Sequence, residues 1–349
     1  MQRRIFSVVL ATGVLFSFSV PSATAETSAR MLPCNTSQTV QLGQLSLLED
    51  PACDYKNANI DIDGSGRSFA VPPAGLSVAM NELRVDGTGS SGDVVVFRSE
   101  AGEMAVKTSI GLYGSEKSRA SFKAAEISIQ KTLAEKSSPA GPTSNKATTP
   151  APILYAGSNG CNNSAYQYAG WKWVTPFDWQ YNAAGQPSAD ALGIMQNAGK
   201  RWTGSISACN QNSSSSASQR FQYGTSTRPQ VREDGTCGSY DTENIIGWGV
   251  FNDSRTLALT CTWYRTSDGR AFASDQNYNV NKPWFTSGTC NARFDLESVA
   301  VHEWGHTYGL THVDQNTGQV MVPEFNYCQP EYRSLGRGDA LGITGLYPN

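Results

Sequence analysis

The stretch that decides the reading runs from Asp295 to Phe325, DLESVAVHEWGHTYGLTHVDQNTGQVMVPEF. Asp295 has the side chain of a helix N-cap, and Leu296, Val299 and Ala300 follow at the spacing of an apolar helix face. The pattern predicts a helix from Asp295 to about Tyr308. On it His302 and His306 lie four residues apart, so they share a face one turn apart. Two imidazoles placed in this way reach a single ion, and a third ligand has to come from elsewhere. Gly309 suits the left-handed conformation that stops a helix, which turns the chain and brings His312 back. Had the helix continued, His312 would lie about 9 Å beyond His306 along the axis, at roughly 1.5 Å per residue.

Three imidazoles suit zinc, which takes nitrogen ligands in a tetrahedron and in catalytic sites keeps the fourth position for water. The three histidines of the chain, His302, His306 and His312, all fall within these eleven positions, which random placement does not explain. Glu303 stands beside the first ligand without being needed for coordination. Its expected task is general base: it takes a proton from zinc-bound water and delivers it to the leaving amine. A purely structural zinc site would be closed by a fourth protein ligand, so the free carboxylate argues for catalysis.

The spacing H-E-x-x-H-x-x-G-x-x-H with a later methionine resembles the metzincin signature of zinc peptidases, with Met321 matching the Met-turn. Within that group the chain is most similar to matrixins: Pro323 follows the methionine by two, and SLGRGDALGITGLYPN resembles their closing helix at Leu335, Asp339, Gly342, Ile343, Leu346 and Tyr347. The resemblance implies an α/β (α+β) catalytic domain with a mixed twisted sheet, an active-site helix and a C-terminal helix. It also implies that Met321 lies beneath the metal and that Pro323, Glu324 and Phe325 line the substrate pocket. The chain departs from matrixins at Val313, where they carry serine, and in having no cysteine-switch sequence near its linker.

Outward from that segment, the 349-residue chain is 39% apolar and carries a formal charge of -3, enough for a core and without a basic field for nucleic acid. MQRRIFSVVLATGVLFSFSVPSATA, residues 1–25, reads as a signal peptide cleaved after Ala25, which predicts a secreted, extracellular protein with no membrane segment left. Residues 26–136 alternate apolar and polar between turn residues, so a β-rich propeptide or accessory domain is expected there. Residues 137–152, SSPAGPTSNKATTPAP, bury nothing and read as a linker open to proteases. Residues 153–349 are then the catalytic domain. Its PSADALGIMQNAGKRW predicts a helix capped by Ser188 with Ala191, Met195, Ala198 and Trp202 on one face. NQNSSSSASQ reads as a surface loop. IIGWGVF, TLALTCTWY and AFASDQNYNV predict strands, with TLALTCTWY as the sheet edge to which an extended substrate adds.

Eight cysteines, Cys34, Cys53, Cys161, Cys209, Cys237, Cys261, Cys290 and Cys328, include no C-x-x-C pair, and in an exported chain they predict disulfides formed separately on either side of the linker. Asn59, Asp61, Asp63 and Gly64 resemble the opening of a calcium loop, but position twelve is Ala70 where glutamate is required. A turn is expected there, and Ca2+ is left without support. The expected function is a secreted zinc endopeptidase, monomeric and made as a zymogen, acting on protein or peptide substrates. The rivals are a non-catalytic zinc-stabilised binding module and a zinc amidase acting on cell-wall or short peptides.

Overall fold

The strand Thr256–Arg265 (TLALTCTWYR) is almost wholly buried along its length, as suits a strand covered on both faces rather than an exposed edge. It belongs to a nine-stranded sheet. The computed structural model describes residues 37–50, 53, 55, 57–62, 64, 66–85, 92–135 and 160–349. Residues 1–25 and 137–152, expected to be a signal peptide and a linker, lie outside the described residues, as do Asp63 and Cys34. Those described all fall within one compact unit.

Before the linker the chain forms β1 (Thr39–Gln41), β2 (Asn59–Asp61), β3 (Ser68–Ala70), β4 (Leu76–Arg84), β5 (Val94–Arg98), β6 (Met104–Thr108) and β7 (Gly111–Tyr113), then α1 (Glu116–Glu135). After it come β8 (Phe177–Tyr181), α2 (Ala191–Lys200), β9 (Gly204–Ala208), β10 (Gln211–Ser215), β11 (Gln219–Gly224), β12 (Ile245–Gly249), β13 (Thr256–Arg265) and β14 (Ala271–Asn279). The short β15 (Trp284–Phe285) and β16 (Phe294–Asp295) precede α3 (Leu296–Thr307), and α4 (Arg337–Leu346) closes the chain. The large sheet has the order β11-β8-β12-β14-β13-β4-β5-β6-β7. From β11 to β14 neighbours are parallel, and β13 and the strands beyond it pair antiparallel. The mixed α/β architecture with an active-site helix and a closing helix is therefore as expected.

Alternation along β4 and β13 divides the core between the two faces of the sheet. Ala79 and Leu83 of β4 and Ala258 and Tyr264 of β13 pack on the side of α2, α3 and α4, with Trp179, Trp202 and Trp304. Val78, Met80, Leu259, Cys261 and Trp263 face the other way and are covered by Leu45, Ile60 and Phe69 of the upstream block. Sheet and cover thus come from both sides of the linker.

Several expectations need correcting. TLALTCTWY is not an edge, because β4 pairs with it from Thr256↔Arg84 to Arg265↔Leu76. NQNSSSSASQ is not a plain loop: Gln211–Ser215 pairs with Gly204–Ala208 as an exposed hairpin, since serine hydroxyls tolerate an extended, solvated strand. Ser188 does not cap α2, which starts at Ala191 after Asp190 with no side-chain cap, although Ala191, Met195, Ala198 and Trp202 are all buried as foreseen. The upstream block also ends in α1, a 20-residue helix absent from the β-rich expectation; its Ile129 and Leu133 reach the main core. Near Asp61, the backbone N–H of Gly64 donates to Asp61 Oδ1 at 2.8 Å, the geometry of a turn.

Cys161–Cys209, Cys237–Cys261 and Cys290–Cys328 form disulfides, so the six cysteines after the linker pair among themselves. Cys53 is disulfide-bonded as well.

Candidate metal centre

Asp295 caps α3 through its carboxylate, which accepts from the Ser298 N–H at 2.9 Å and is clamped by Arg333 Nε at 2.9 Å. The helix then runs to Thr307 with Tyr308 as its C-cap, within one residue of the expected end. Gly309 follows at φ +97°, and a Cβ there would collide with the carbonyl of Trp171. The backbone bonds Ala169 N to Gly309 O (2.8 Å) and Thr311 N to Gln167 O (2.9 Å) hold the returning chain.

The result is a convergence of three buried imidazoles. His302 Nε2 lies 2.9 Å from His306 Nε2 and 3.1 Å from His312 Nε2, and the third side of the triangle is 3.2 Å. Among the described residues this is the group of side chains able to hold a metal ion. The outer nitrogens decide the tautomers. His302 Nδ1 donates to Val320 O at 2.7 Å and His306 Nδ1 to Leu310 O at 2.9 Å. His312 Nδ1 lies 3.1 Å from Asp93 Oδ2 and 3.0 Å from Oδ1. Carbonyl and carboxylate oxygens only accept, so Nδ1 carries the proton and each Nε2 presents a lone pair. Three lone pairs facing one another at this range repel unless a cation sits among them. The donor set fits zinc, whose nitrogen ligands at about 2.0–2.1 Å stand roughly 3.3 Å apart in a tetrahedron.

Burial, reinforced by the neighbouring imidazoles, pushes His302 and His306 well below the usual histidine range, which keeps them neutral as ligands must be. Burial likewise pushes Glu303 up to about 8, partly offset by the Thr260 hydroxyl. Thr260 Oγ1 donates to Glu303 Oε2 at 2.5 Å, while Oε1 is buried with no hydrogen-bond partner. Met321 lies directly under α3: a Cβ on Gly305 would collide with its Sδ. Asp339 of α4, pushed up to about 6 by burial, accepts from Val320 N at 2.8 Å and so braces the residue whose carbonyl orients His302. Phe325 sits edge-on to His302 at 5.5 Å and stacks on Tyr332 at 4.4 Å.

The third ligand's outer partner comes from before the linker. Asp93 follows β4 in the chain, and with Thr311 and Asn81 it makes a cluster around His312: Asn81 Nδ2 donates to Thr311 Oγ1 at 3.3 Å, which donates to Asp93 Oδ2 at 3.3 Å. Asn81 Oδ1 is buried without a partner. At the end of β4 the backbone of Arg84 is held on the far side of the site, its N–H donating to Pro323 O (3.2 Å) and its carbonyl accepting from Phe325 N (3.0 Å). So β4 lies antiparallel to β13 and parallel to the segment containing Pro323, Glu324 and Phe325. Thr260, Asn81 and Asp93 escaped the reading of the sequence. Alternation along TLALTCTWY puts Thr260 on the face of the helix, but nothing local marks Asn81 or Asp93.

Residues 251–348 match the family model described as matrixin, so this part of the chain is matrixin-like. Human matrix metalloproteinase-16 is 32% identical over 79 residues, which cover 23% of this chain and 13% of that protein. Human neutrophil collagenase is 29% identical over 79 residues, 23% of this chain and 16% of that protein. The match thus spans less than a fifth of either relative. Among solved structures, metalloproteinase-II from Bacteroides fragilis aligns over 86% of this chain and 94% of that one, with 8% identity and a TM-score of 0.24, too slight a likeness to argue from.

Proposed function

We propose that the chain is a secreted zinc-dependent endopeptidase, made in a latent form whose own strand β4 lies where substrate binds. The observation that carries the reading is the convergence of three Nε2 lone pairs within 3.2 Å, with Glu303 next in sequence to the first. Zinc held by His302, His306 and His312 would supply Lewis acidity for a scissile carbonyl and would acidify a water at its open position. Glu303, its Oε2 held by Thr260 and its Oε1 without a partner, would take a proton from the attacking water at Oε1 and pass it to the leaving amine. Met321 keeps the floor apolar, and Val320, Leu310 and an acceptor at His312 Nδ1 keep the ligands turned inward.

An extended substrate would add to β13 as β4 does and run beside Pro323, Glu324 and Phe325, the wall of its pocket. The position of β4 supports latency by simple occupation. Asp93 comes with β4 and accepts at the outer nitrogen of His312, away from the converging Nε2 atoms, so it orients that imidazole without closing the metal side. Removal of residues 26–136 by cutting in the 137–152 linker would vacate the cleft. The signal-like N-terminus and the disulfides support export.

A retained accessory domain is the second reading, favoured by the burial of Leu259, Cys261 and Trp263 under the upstream block. The test is to purify the secreted protein, sequence its N-terminus, and assay it beside full-length chain with an uncleavable linker. The zymogen reading expects a mature start after the linker and little activity in the uncleavable form. Equal activity, or a start at Glu26, overturns latency; no peptide-bond cleavage by the zinc-loaded, linker-cut form overturns the peptidase reading.

A further inference from the structure

We propose that Asp253 makes this cleft select a basic residue at the substrate position now held by Arg84, an inference that rests on the reading of β4 as a substrate-like occupant. Arg84 is fixed on both sides of the cleft. Its backbone bonds to Pro323 and Phe325, and its neighbour Val85 donates to Arg255 O at 2.8 Å. From that position its guanidinium reaches Asp253, Nη2 to Oδ2 at 2.7 Å, with Arg84 only 12% exposed and Asp253 38%. Glu82 Oε2 stands 3.6 Å from the same guanidinium but belongs to β4 and leaves with it. Asp253 stays, because it precedes β13 and is anchored to it by Thr256 N to Asp253 O at 3.2 Å.

Asp253 keeps its aim in the absence of Arg84. Arg255 donates its backbone N–H to Oδ1 at 2.9 Å, Nε to Oδ1 at 3.1 Å and Nη2 to Oδ2 at 2.9 Å. Departure of Arg84 therefore frees acceptor capacity on Oδ2 without freeing the side chain to turn away. A substrate residue whose backbone takes the bonds to Pro323 and Phe325 directs its side chain to the same carboxylate. Lysine or arginine there restores a charge-assisted bond, neutral residues leave it unmade, and acidic residues face like charge. Because Arg255 already offsets part of the negative charge, the expected preference is moderate, about tenfold in kcat/KM for arginine over alanine.

The experiment profiles the linker-cut enzyme on a mixed peptide library and sequences the cut sites, for wild type, Asp253→Asn and Asp253→Lys. Asp253→Asn keeps an acceptor for the Arg255 N–H, so it is the arm least disturbing to folding. The expected result is enrichment of arginine and lysine at a single position within three residues after the cut, lost in Asp253→Asn and turned toward acidic residues in Asp253→Lys. Cleavage by wild type without that enrichment, or the same enrichment in Asp253→Asn, overturns the role of Asp253 and leaves the peptidase reading standing. No cleavage by zinc-loaded wild type overturns both.

Discussion

Strand β13 has two neighbours, and their backbones treat it almost alike. On one side β14 pairs from Ala258↔Tyr278 to Tyr264↔Ala271; on the other, β4 pairs from Thr256↔Arg84 to Arg265↔Leu76. The first neighbour arrives by a tight turn, the second from before the linker. Side chains tell them apart. From β14, Ser274 joins Thr262 (2.9 Å) to Thr307 (3.2 Å) and Gln276 donates to Thr307 at 2.9 Å, which ties the sheet to the end of α3. From the β4 side, Asn81 and Asp93 reach Thr311 and His312. The β14 side braces the helix that carries His302 and His306, whereas the β4 side touches His312. A ladder of main-chain bonds is generic, whereas only β14 carries the hydroxyl network at the end of α3.

The largest expected effects fall on the catalytic side of this contrast. Chelation of zinc from the linker-cut form should abolish peptide cleavage, and added zinc should restore it, because three ligands converge on one ion. Full activity in metal-free protein would remove the basis for the contrast. Glu303→Gln should retain zinc and lose about two to four orders of magnitude in kcat, since the ligands stay in place while the base is gone. Zinc content and turnover measured on the same sample decide it, and near-normal turnover would assign the proton to another group.

The metal side of the contrast was legible because its chemistry is local. Helix spacing, a glycine stop and three histidines lie within eleven positions, and short-range geometry dictates where they converge. The β4 side was not, for the opposite reason. TLALTCTWY reads as a strand, yet whether its free side meets water, substrate or another part of the chain depends on a partner 172 to 189 residues earlier, from Thr256↔Arg84 to Arg265↔Leu76. The stretch is expected to be a substrate-accepting edge, and its threonines Thr256, Thr260 and Thr262 suit a solvated strand as well as a buried one, so its near-continuous burial shows only in the fold. Helix α1 was missed because its polar, alanine-rich text sits at the end of a block otherwise patterned for strands. Asp93 carries no motif at all; only folding puts it against His312.

A smaller effect tests whether β4 is displaceable. Met80 is fully buried on the face opposite the metal, among Leu259, Cys261 and Trp263. Met80→Asp places a charge there and disturbs the cover while leaving the helix-side core untouched. In the uncut chain it should raise cleavage of a short peptide about tenfold, as β4 spends more time out of the cleft. If the variant instead loses activity together with its zinc, β4 is as permanent a neighbour as β14.

The smallest effect separates the two arginines that share Asp253. Its carboxyl is lowered to about 2, first by the side-chain bonds of Arg255, with burial opposing and Arg84 contributing after the Arg255 backbone N–H. A folded value below the unfolded 3.8 means that the ionised form favours the fold. That stability is present above about pH 4 and is lost as pH falls through about 2. Because Asp253 is 38% exposed, solvent screens the gain to about 1 kcal/mol or less. Denaturant unfolding of the uncut chain at pH 5 and at pH 2.5, beside Asp253→Asn, should show the stability gap between the two narrowing at the lower pH. Repeating the pair of measurements with Arg84→Gln in both chains then decides how much of the gap belongs to the β4 side. A smaller gap with Arg84→Gln means that the carboxylate grips β4 as well as its own strand. An unchanged gap means that Arg255 supplies all of it, and that Arg84 lies against Asp253 without being held there.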